Sequence, residues 1–378
     1  MKPKNEKQPK TWRKVKLGEV LELKYGFGLP ETKRKTGRVP VFGSSGIVGA
    51  HNEAAVQSQG IVIGRKGHVG SIHYSNVPFY PIDTVYYVDQ LKIPGDIKFF
   101  YYFLKRMPFQ QIGSDVGVPG LNRDIAYSLE VKIPEDPNIQ KRIADVLSAF
   151  DDKIELNNKI NQTLEQMAQA IFKEWFVSPS IALAEEDKLP KGWRVGKLGE
   201  LMVARKEKFR KYEEWKNLKL LDLGRFPQKS LAITSYGKGE EIKTAGIGFK
   251  KGDVLFGAVR PYFHKVVIAP FDGVTNSSVF VITPKKESSY AFLVTVLFSE
   301  NTVNYASMSA SGTKMPVIKW EDLCDMEVLI PEERAIENFN KTVKNFYNLI
   351  IKNTLENQKL ASLRDLLLPK LMSGEIRV

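Results

Sequence analysis

One sequence plan occurs twice along this chain. Trp12-Arg13-Lys14-Val15-Lys16-Leu17-Gly18-Glu19 returns as Trp193-Arg194-Val195-Gly196-Lys197-Leu198-Gly199-Glu200, identical at six of eight positions, 181 residues later. Val131-Lys132-Ile133-Pro134-Glu135 returns as Val328-Leu329-Ile330-Pro331-Glu332, now 197 residues later. Ser114 and Pro119 match Ser311 and Pro316 at that second spacing. A whole-chain repeat constrains the fold more than composition does, because one supersecondary plan must serve both halves. The growing offset means a longer globular part in the second half. The two halves are expected to be related by a pseudo-two-fold axis. The region around Ile376 should then approach Trp12, as residues 177–180 approach Trp193.

Each half begins with short β-prone runs between glycines and turn residues. Gly60-Ile61-Val62-Ile63-Gly64 and Thr84-Val85-Tyr86-Tyr87-Val88 are examples in the first half. Asp253-Val254-Leu255-Phe256-Gly257 and Ser278-Val279-Phe280-Val281-Ile282 are examples in the second. Such runs read as strands. Helical segments from Lys98 to Lys105 and from Tyr290 to Phe298 lie between strands. After an Ile-Pro step, each half ends in one long helical pattern.

In the first pattern, Ile143, Leu147, Phe150, Ile154, Asn157, Asn161, Leu164, Ala168, Ile171 and Trp175 alternate steps of 4 and 3. In the second, Ile336, Phe339, Val343, Phe346, Ile350, Asn353, Asn357 and Leu360 do the same. These are heptad seams. No Pro or Gly interrupts residues 138–177 or 332–368. Helices that long, roughly 55–60 Å at 1.5 Å per residue, are expected to pair as an antiparallel coiled coil. Asn157 and Asn161 correspond to Asn353 and Asn357 at a spacing of 196. Asn in a seam lowers stability but sets register, so these four are candidate register residues. The fold class is mixed α/β (α+β): two small globular domains, 1–136 and 181–331, each followed by a long helix segment, 137–180 and 332–378.

Charge separates these parts. Residues 1–136 and 187–331 each carry a net +7, whereas 137–186 carry −3 and 332–378 carry +2. Positive charge concentrated in the globular segments favours a polyanionic partner. The single cysteine, Cys324, excludes an internal disulfide and a thiolate metal cluster. Four histidines offer little for a metal centre, and no run of apolar residues is long enough to cross a membrane. The basic N-terminus has no apolar stretch behind it, so no signal peptide is expected, and the chain is placed in the cytoplasm.

Several further segments complete a pattern. They are Gly64-Arg65-Lys66-Gly67-His68-Val69-Gly70, Gln140-Lys141-Arg142-Ile143-Ala144-Asp145-Val146-Leu147-Ser148, and Asp151-Asp152-Lys153-Ile154-Glu155-Leu156-Asn157. Phe172-Lys173-Glu174-Trp175-Phe176 and the ending Leu368-Pro369-Lys370-Leu371-Met372-Ser373-Gly374-Glu375-Ile376 follow. In this order, and over essentially the whole chain, they resemble the specificity (S) subunit of type I restriction-modification enzymes. One departure is Pro134-Glu135-Asp136-Pro137-Asn138, where the family more often has a Pro-Pro-Leu-like sequence before the helix. The resemblance implies two target recognition domains, each reading half of a bipartite, asymmetric site in double-stranded DNA. It implies helices that act as a spacer and dock two methyltransferase (M) subunits, through which restriction (R) subunits join. S-adenosylmethionine, ATP and Mg would belong to those partners. This chain would hold no cofactor, bind no membrane and catalyse nothing.

The residues themselves lead the same way. No G-x-x-x-x-G-K-[ST] phosphate loop and no Asn/Asp-Pro-Pro-Tyr segment is present. Gly26-Phe27-Gly28 reads as a turn, and Glu130-Val131-Lys132 lacks the clustered carboxylates of a nuclease. A Ser44, His68 and Asp83 constellation has only composition behind it. The competing readings are a DNA nuclease or methyltransferase with an unrecognised active site, and a coiled-coil scaffold without DNA.

A DNA reader needs phosphate contacts for affinity and base-edge contacts for sequence. Candidates in the first domain are Ser44 and Ser45 on one loop, then Arg65, Lys66 and His68 on a strand-to-strand turn. Asn122 and Arg123 follow the Gly117-Val118-Pro119-Gly120 loop. In the second domain, Arg260, Tyr262 and His264 take the place of the Arg65 turn, and Thr313 and Lys314 that of the Ser114–Gly120 loop. Phe172, Trp175 and Phe176 exceed what a two-helix seam needs and are candidates for methyltransferase-subunit docking.

Overall fold

Pro137 opens the first long helix, Pro137–Phe172, where its missing N–H is no loss. Asp136 Oδ1 accepts from the Asn138 N–H at 2.8 Å and closes that first turn. The second long helix is Glu333–Ser373. The computed structural model describes residues 12–112, 120–178 and 189–378, apart from 206, 208, 210–211 and 243–244. It divides into two units, Met1–Asp151 with Ser362–Val378, and Asp152–Ala361.

In the second unit the two helices run antiparallel. Asn157 Nδ2 donates to Asn357 Oδ1 at 2.8 Å, and Asn353 Nδ2 donates to Asn161 Oδ1 at 2.9 Å. The repeat maps Asn157 onto Asn353 and Asn357 onto Asn161, so it maps one contact onto the other, as a local two-fold would. Asn157, Asn161 and Asn353 are buried and Asn357 is half-buried.

The seam departs from its heptad pattern at the end of the first long helix. Trp175 is exposed and Phe176 takes its place in the core. Residues Lys173–Val177 form a π turn. A π turn holds more residues than an α turn, so the position facing the core moves from four to five beyond Ile171.

Each unit is built on one antiparallel four-stranded sheet. In the first unit its order is Lys24–Tyr25, Val85–Val88, Gly60–Gly64 and Ile72–Ser75. In the second it is Met202–Ala204, Val279–Pro284, Val254–Gly257 and Val266–Ile268. Trp12–Lys16 pairs with Glu130–Pro134, and Arg194–Lys197 with Glu327–Ile330, both antiparallel. The repeat is therefore one of topology. The second unit's extra residues lie between Ala204 and Val254. That stretch supplies Lys219–Leu220, Gly237–Lys238 and Ile247–Phe249, which with Gly273–Thr275 make a second four-stranded sheet. Among the described residues, the first unit's smaller sheet has three strands, in the order Gly46–His51, Val39–Gly43 and Tyr80–Pro81.

A helix, Ile97–Leu104 or Tyr290–Leu297, packs between each main sheet and the long-helix residues of its unit. In the first unit, Phe99, Phe100 and Phe103 join Ile143, Leu147, Leu371 and Met372 in one core. In the second, Phe292, Phe176, Phe339 and Val343 do so. Gly374, at φ +76°, lies against the Trp12 indole, where a Cβ would stand 3.0 Å from Nε1. Its counterpart region in the second unit places the Phe176 ring 5.8 Å from that of Trp193.

Candidate nucleic-acid interface

In the first unit, strand Gly60–Gly64 runs into the turn Arg65–Gly70, which returns as Ile72–Ser75. Gly67 and Gly70 have φ near +76° and +75°, backbone that disfavours larger residues. The turn meets the Ser44–Ser45 loop: Ser44 Oγ accepts from the His68 N–H at 3.4 Å, and Ser44 O accepts from the Ser71 hydroxyl. It also meets the next loop, through a bridge between Lys66 and Gly120 and a Leu121 N–H to Arg65 O bond of 3.0 Å. Ser45, Lys66 and His68 are exposed, while Ser44 and Arg65 are half-buried. Arg65 Nη2 donates to Asp83 O at 2.7 Å. Its guanidinium lies 5.3 Å from the Tyr25 ring and 5.9 Å from that of Tyr86. Arg123 lies 5.2 Å from the same Tyr25 ring. Burial, and then a hydrogen bond with Tyr25, pushes the Tyr86 phenol up to about 12.

The second unit repeats the stitching with other side chains. Val259 and Ser311 both bridge to Val317. Arg260 N–H donates to Pro316 O at 2.7 Å, and Arg260 Nη2 to Lys314 O at 3.1 Å. Arg260 and His264 both have φ +50°, an uncommon state for non-glycine residues. Between them Pro261–Phe263 projects as a 3-10 turn that presents Tyr262, 53% exposed. Thr313 and Lys314 are fully on the surface.

Three expectations change. His264 is 4% exposed, and its Nε2 lies 3.0 Å from Phe298 O. Burial pushes its pKa down, against the pull of the Phe298 carbonyl and of Glu300. It holds the turn from inside and offers DNA nothing. Asn122 caps the helix Arg123–Ser128, its Oδ1 accepting from Asp124 and Ile125 N–H at 2.9 and 3.1 Å, so that oxygen is not available to a base. Phe176 is buried against Phe292, Phe339 and Trp193, and Phe172 packs 5.5 Å from Phe292. Of the three docking candidates, only Trp175 stays exposed. Residues 113–119, including Ser114 and Pro119, lie outside the described residues, as do 179–180.

Two residues that no sequence pattern marks take defined places in the structure. Tyr25, half-exposed on a two-residue strand, had no motif around it. Glu165 sat in the helix pattern as an ordinary polar residue, yet it is 5% exposed and accepts from Leu231 N–H at 2.8 Å and Ser230 Oγ at 2.9 Å. It ties the long helix to the loop between Lys219–Leu220 and Gly237–Lys238, whose Leu231 O accepts from the Ile268 N–H at 3.0 Å.

The catalytic alternatives gain nothing from the geometry. Ser44 meets His68 through the backbone N–H, not the imidazole, and the Asp83 carbonyl serves Arg65. Gly26 is demanded by packing, since a Cβ there would stand 2.0 Å from Ile82 O. Among the described residues, no group of three or more His, Cys, Asp or Glu could hold a metal ion, and no helix is long and apolar enough to cross a membrane.

The family model for the Type I restriction modification DNA specificity domain matches residues 9–166 and 190–364. The chain is 28% identical to the type I restriction enzyme MjaIX specificity subunit of Methanocaldococcus jannaschii, over 98% of this chain and 95% of that one. It is 26% identical to the HindI specificity subunit of Haemophilus influenzae, over 68% and 71%. Its fold is similar to the crystal structure of a type I restriction-modification S subunit from M. genitalium, with TM-score 0.62, 18% identity and 98% of each chain covered.

Proposed function

The chain belongs to the type I restriction-modification DNA specificity family, and we propose from that premise how its two halves divide the work. Membership makes it the DNA-recognition subunit of a multisubunit modification and restriction system, itself non-catalytic. The finer reading takes 1–136 and 181–331 as target recognition domains, each reading one half of a bipartite, asymmetric duplex site. The helical segments 137–180 and 332–378 space them. Two methyltransferase subunits, carrying S-adenosylmethionine, dock on the helices, and restriction subunits with ATP and Mg join through them in the cytoplasm.

The observation that carries this reading is the repeated stitching. In each unit a turn with an arginine at its head, Arg65 or Arg260, is bonded to the loop that ends at Gly120 or Val317. A turn bonded in this way to a neighbouring segment keeps its own shape when DNA arrives, so little ordering entropy opposes binding. Exposed Lys66 and Lys314 suit phosphate, and the arginines suit base edges. The exposed aromatic Trp175 is the remaining methyltransferase-docking candidate.

The test is co-expression with the methyltransferase subunit, followed by sequencing of methylated bases. An asymmetric target in two parts, with centres roughly one turn or about 34 Å apart, is expected. A continuous or palindromic target, or DNA binding indifferent to salt, overturns the reading.

A further inference from the structure

Two guanidinium groups, Arg65 and Arg123, lie 5.3 and 5.2 Å from the ring of Tyr25. Neither has a carboxylate partner among the described residues; Arg65 has the Asp83 carbonyl, and Arg123 has aromatic faces alone. Like charges gathered on one ring repel each other unless something electronegative comes to both. Each aromatic group is itself fixed. Tyr25 pairs in register with Tyr86 and its ring lies 5.0 Å from the Tyr86 ring. The Tyr127 hydroxyl accepts from Leu23 N–H at 2.8 Å, and the Tyr127 ring lies 5.9 Å from the Arg123 guanidinium.

The two arginines are not equal. Arg65 spends Nη2 on Asp83 O, and its Nε is buried without a partner among the described residues. Among the described residues Arg123 spends none of its donors, while two rings restrict its plane. A planar fork held in one orientation suits two coplanar acceptors, and guanine presents O6 and N7 that way in the major groove. A phosphate also accepts an arginine fork, but it is met equally well by a flexible point charge such as the exposed Lys66 beside this cluster, which leaves the held fork of Arg123 for a base edge.

We propose that Arg123 reads a guanine in the half-site of the first recognition domain, and that Tyr25 is the positioning residue that holds its guanidinium plane. The proposal rests on the DNA-recognition reading above and adds base identity and a residue that carries no motif.

The test uses the full chain with its methyltransferase subunits and the target found by methylation sequencing. 7-Deazaguanine, which lacks the N7 acceptor, replaces each guanine in one half-site and then in the other. The parent complex loses affinity several-fold at one guanine. Arg123→Ala loses about ten- to hundredfold on natural DNA, and deaza substitution at that guanine costs it nothing more. Tyr25→Phe keeps the parent's affinity and its deaza sensitivity. Tyr25→Leu loses both in part. A target with no guanine in either half-site overturns the proposal. So does an Arg123→Ala variant that binds as tightly as the parent, or one weakened while deaza sensitivity persists unchanged at every guanine, which marks a phosphate contact. Equal behaviour of Tyr25→Leu and Tyr25→Phe removes Tyr25 from the positioning role. A parent complex that shows no salt-dependent DNA binding overturns the recognition reading itself, a result distinct from all of these.

Discussion

The Tyr102 phenol donates a 2.6 Å hydrogen bond to the Asp151 carboxylate, tying a domain helix to a long helix in the first unit. Asp151 also pairs with Arg364 of the second long helix. The repeat carries Asp151 onto Tyr347 and Tyr102 onto Thr295, and there the Thr295 and Tyr347 hydroxyls lie 2.6 Å apart. The phenol has changed sides while the bond has kept its place. Burial, followed by Asp151, pushes the Tyr102 phenol far up, and burial does the same at Tyr347.

Both bonds can be removed by Tyr→Phe, with unequal results. A hydrogen bond to a charged group contributes about 1.5–3 kcal/mol and a neutral one about 0.5–1.5. Tyr102→Phe should therefore lower stability more than Tyr347→Phe, as read from chemical denaturation midpoints at constant m. The reverse ranking would show that Arg364 alone satisfies Asp151.

The asparagine layer predicts a gain in stability with a loss of selectivity. Asn157 Oδ1 and Asn161 Nδ2 are buried without partners among the described residues, and each such group costs about 1–3 kcal/mol. Replacing Asn157, Asn161, Asn353 and Asn357 by Leu should preserve or raise the melting temperature. Register would then rest on apolar contacts alone, and methylation should spread to altered spacer lengths. Sequencing that finds only the parental spacer refutes the register role.

Trp175 and Phe176 are neighbours with opposite roles. Phe176→Ala should destabilise by about 3–5 kcal/mol, the usual effect of emptying a buried aromatic site. Trp175→Ala, which removes ring contacts with Phe176 and Phe339 at the core's edge, should lower the melting temperature less than Phe176→Ala and weaken pull-down of the methyltransferase subunit. Undiminished pull-down by a stable Trp175→Ala variant would move the docking surface elsewhere.

Two buried groups in the second unit give opposite pH responses. His264 has a lowered pKa, so the folded unit binds fewer protons there than the unfolded chain. Its contribution is present above about pH 6.5, the unfolded value, and is lost as pH falls towards the folded value. Glu165 has a raised pKa because burial outweighs bonds from Leu231, Ser230 and Ala232, so its ionisation lowers stability as pH rises above about 4.5. Glu165→Gln should raise stability near neutrality and remove the gain that protonation of Glu165 supplies on acidification, so the loss from His264 stands alone. Denaturation midpoints against pH check both signs; a variant whose midpoints match the parent's at every pH would show that burial does not act against the charge of Glu165.

The long helices and their seams were legible because helix geometry fixes which residues share a face. Spacing alone therefore placed Ile143, Leu147, Phe339 and Val343 in the core. The period breaks at Trp175, where a π turn changes the spacing itself.

What the sequence determined by itself is whatever repeats or follows a local period: two copies of one plan, their strands, the paired helices and the asparagines that face one another. What only the tertiary structure decided is where loop side chains point. His264 and Arg65 sit in corresponding basic turns, yet Phe298, 34 residues away, draws the histidine inward, while Tyr25 draws the arginine onto an exposed ring. Loop residues have no period to fix a face, so distant partners decide. That is why Glu165 and Tyr25 became visible only when Leu231 and Arg123 were seen beside them.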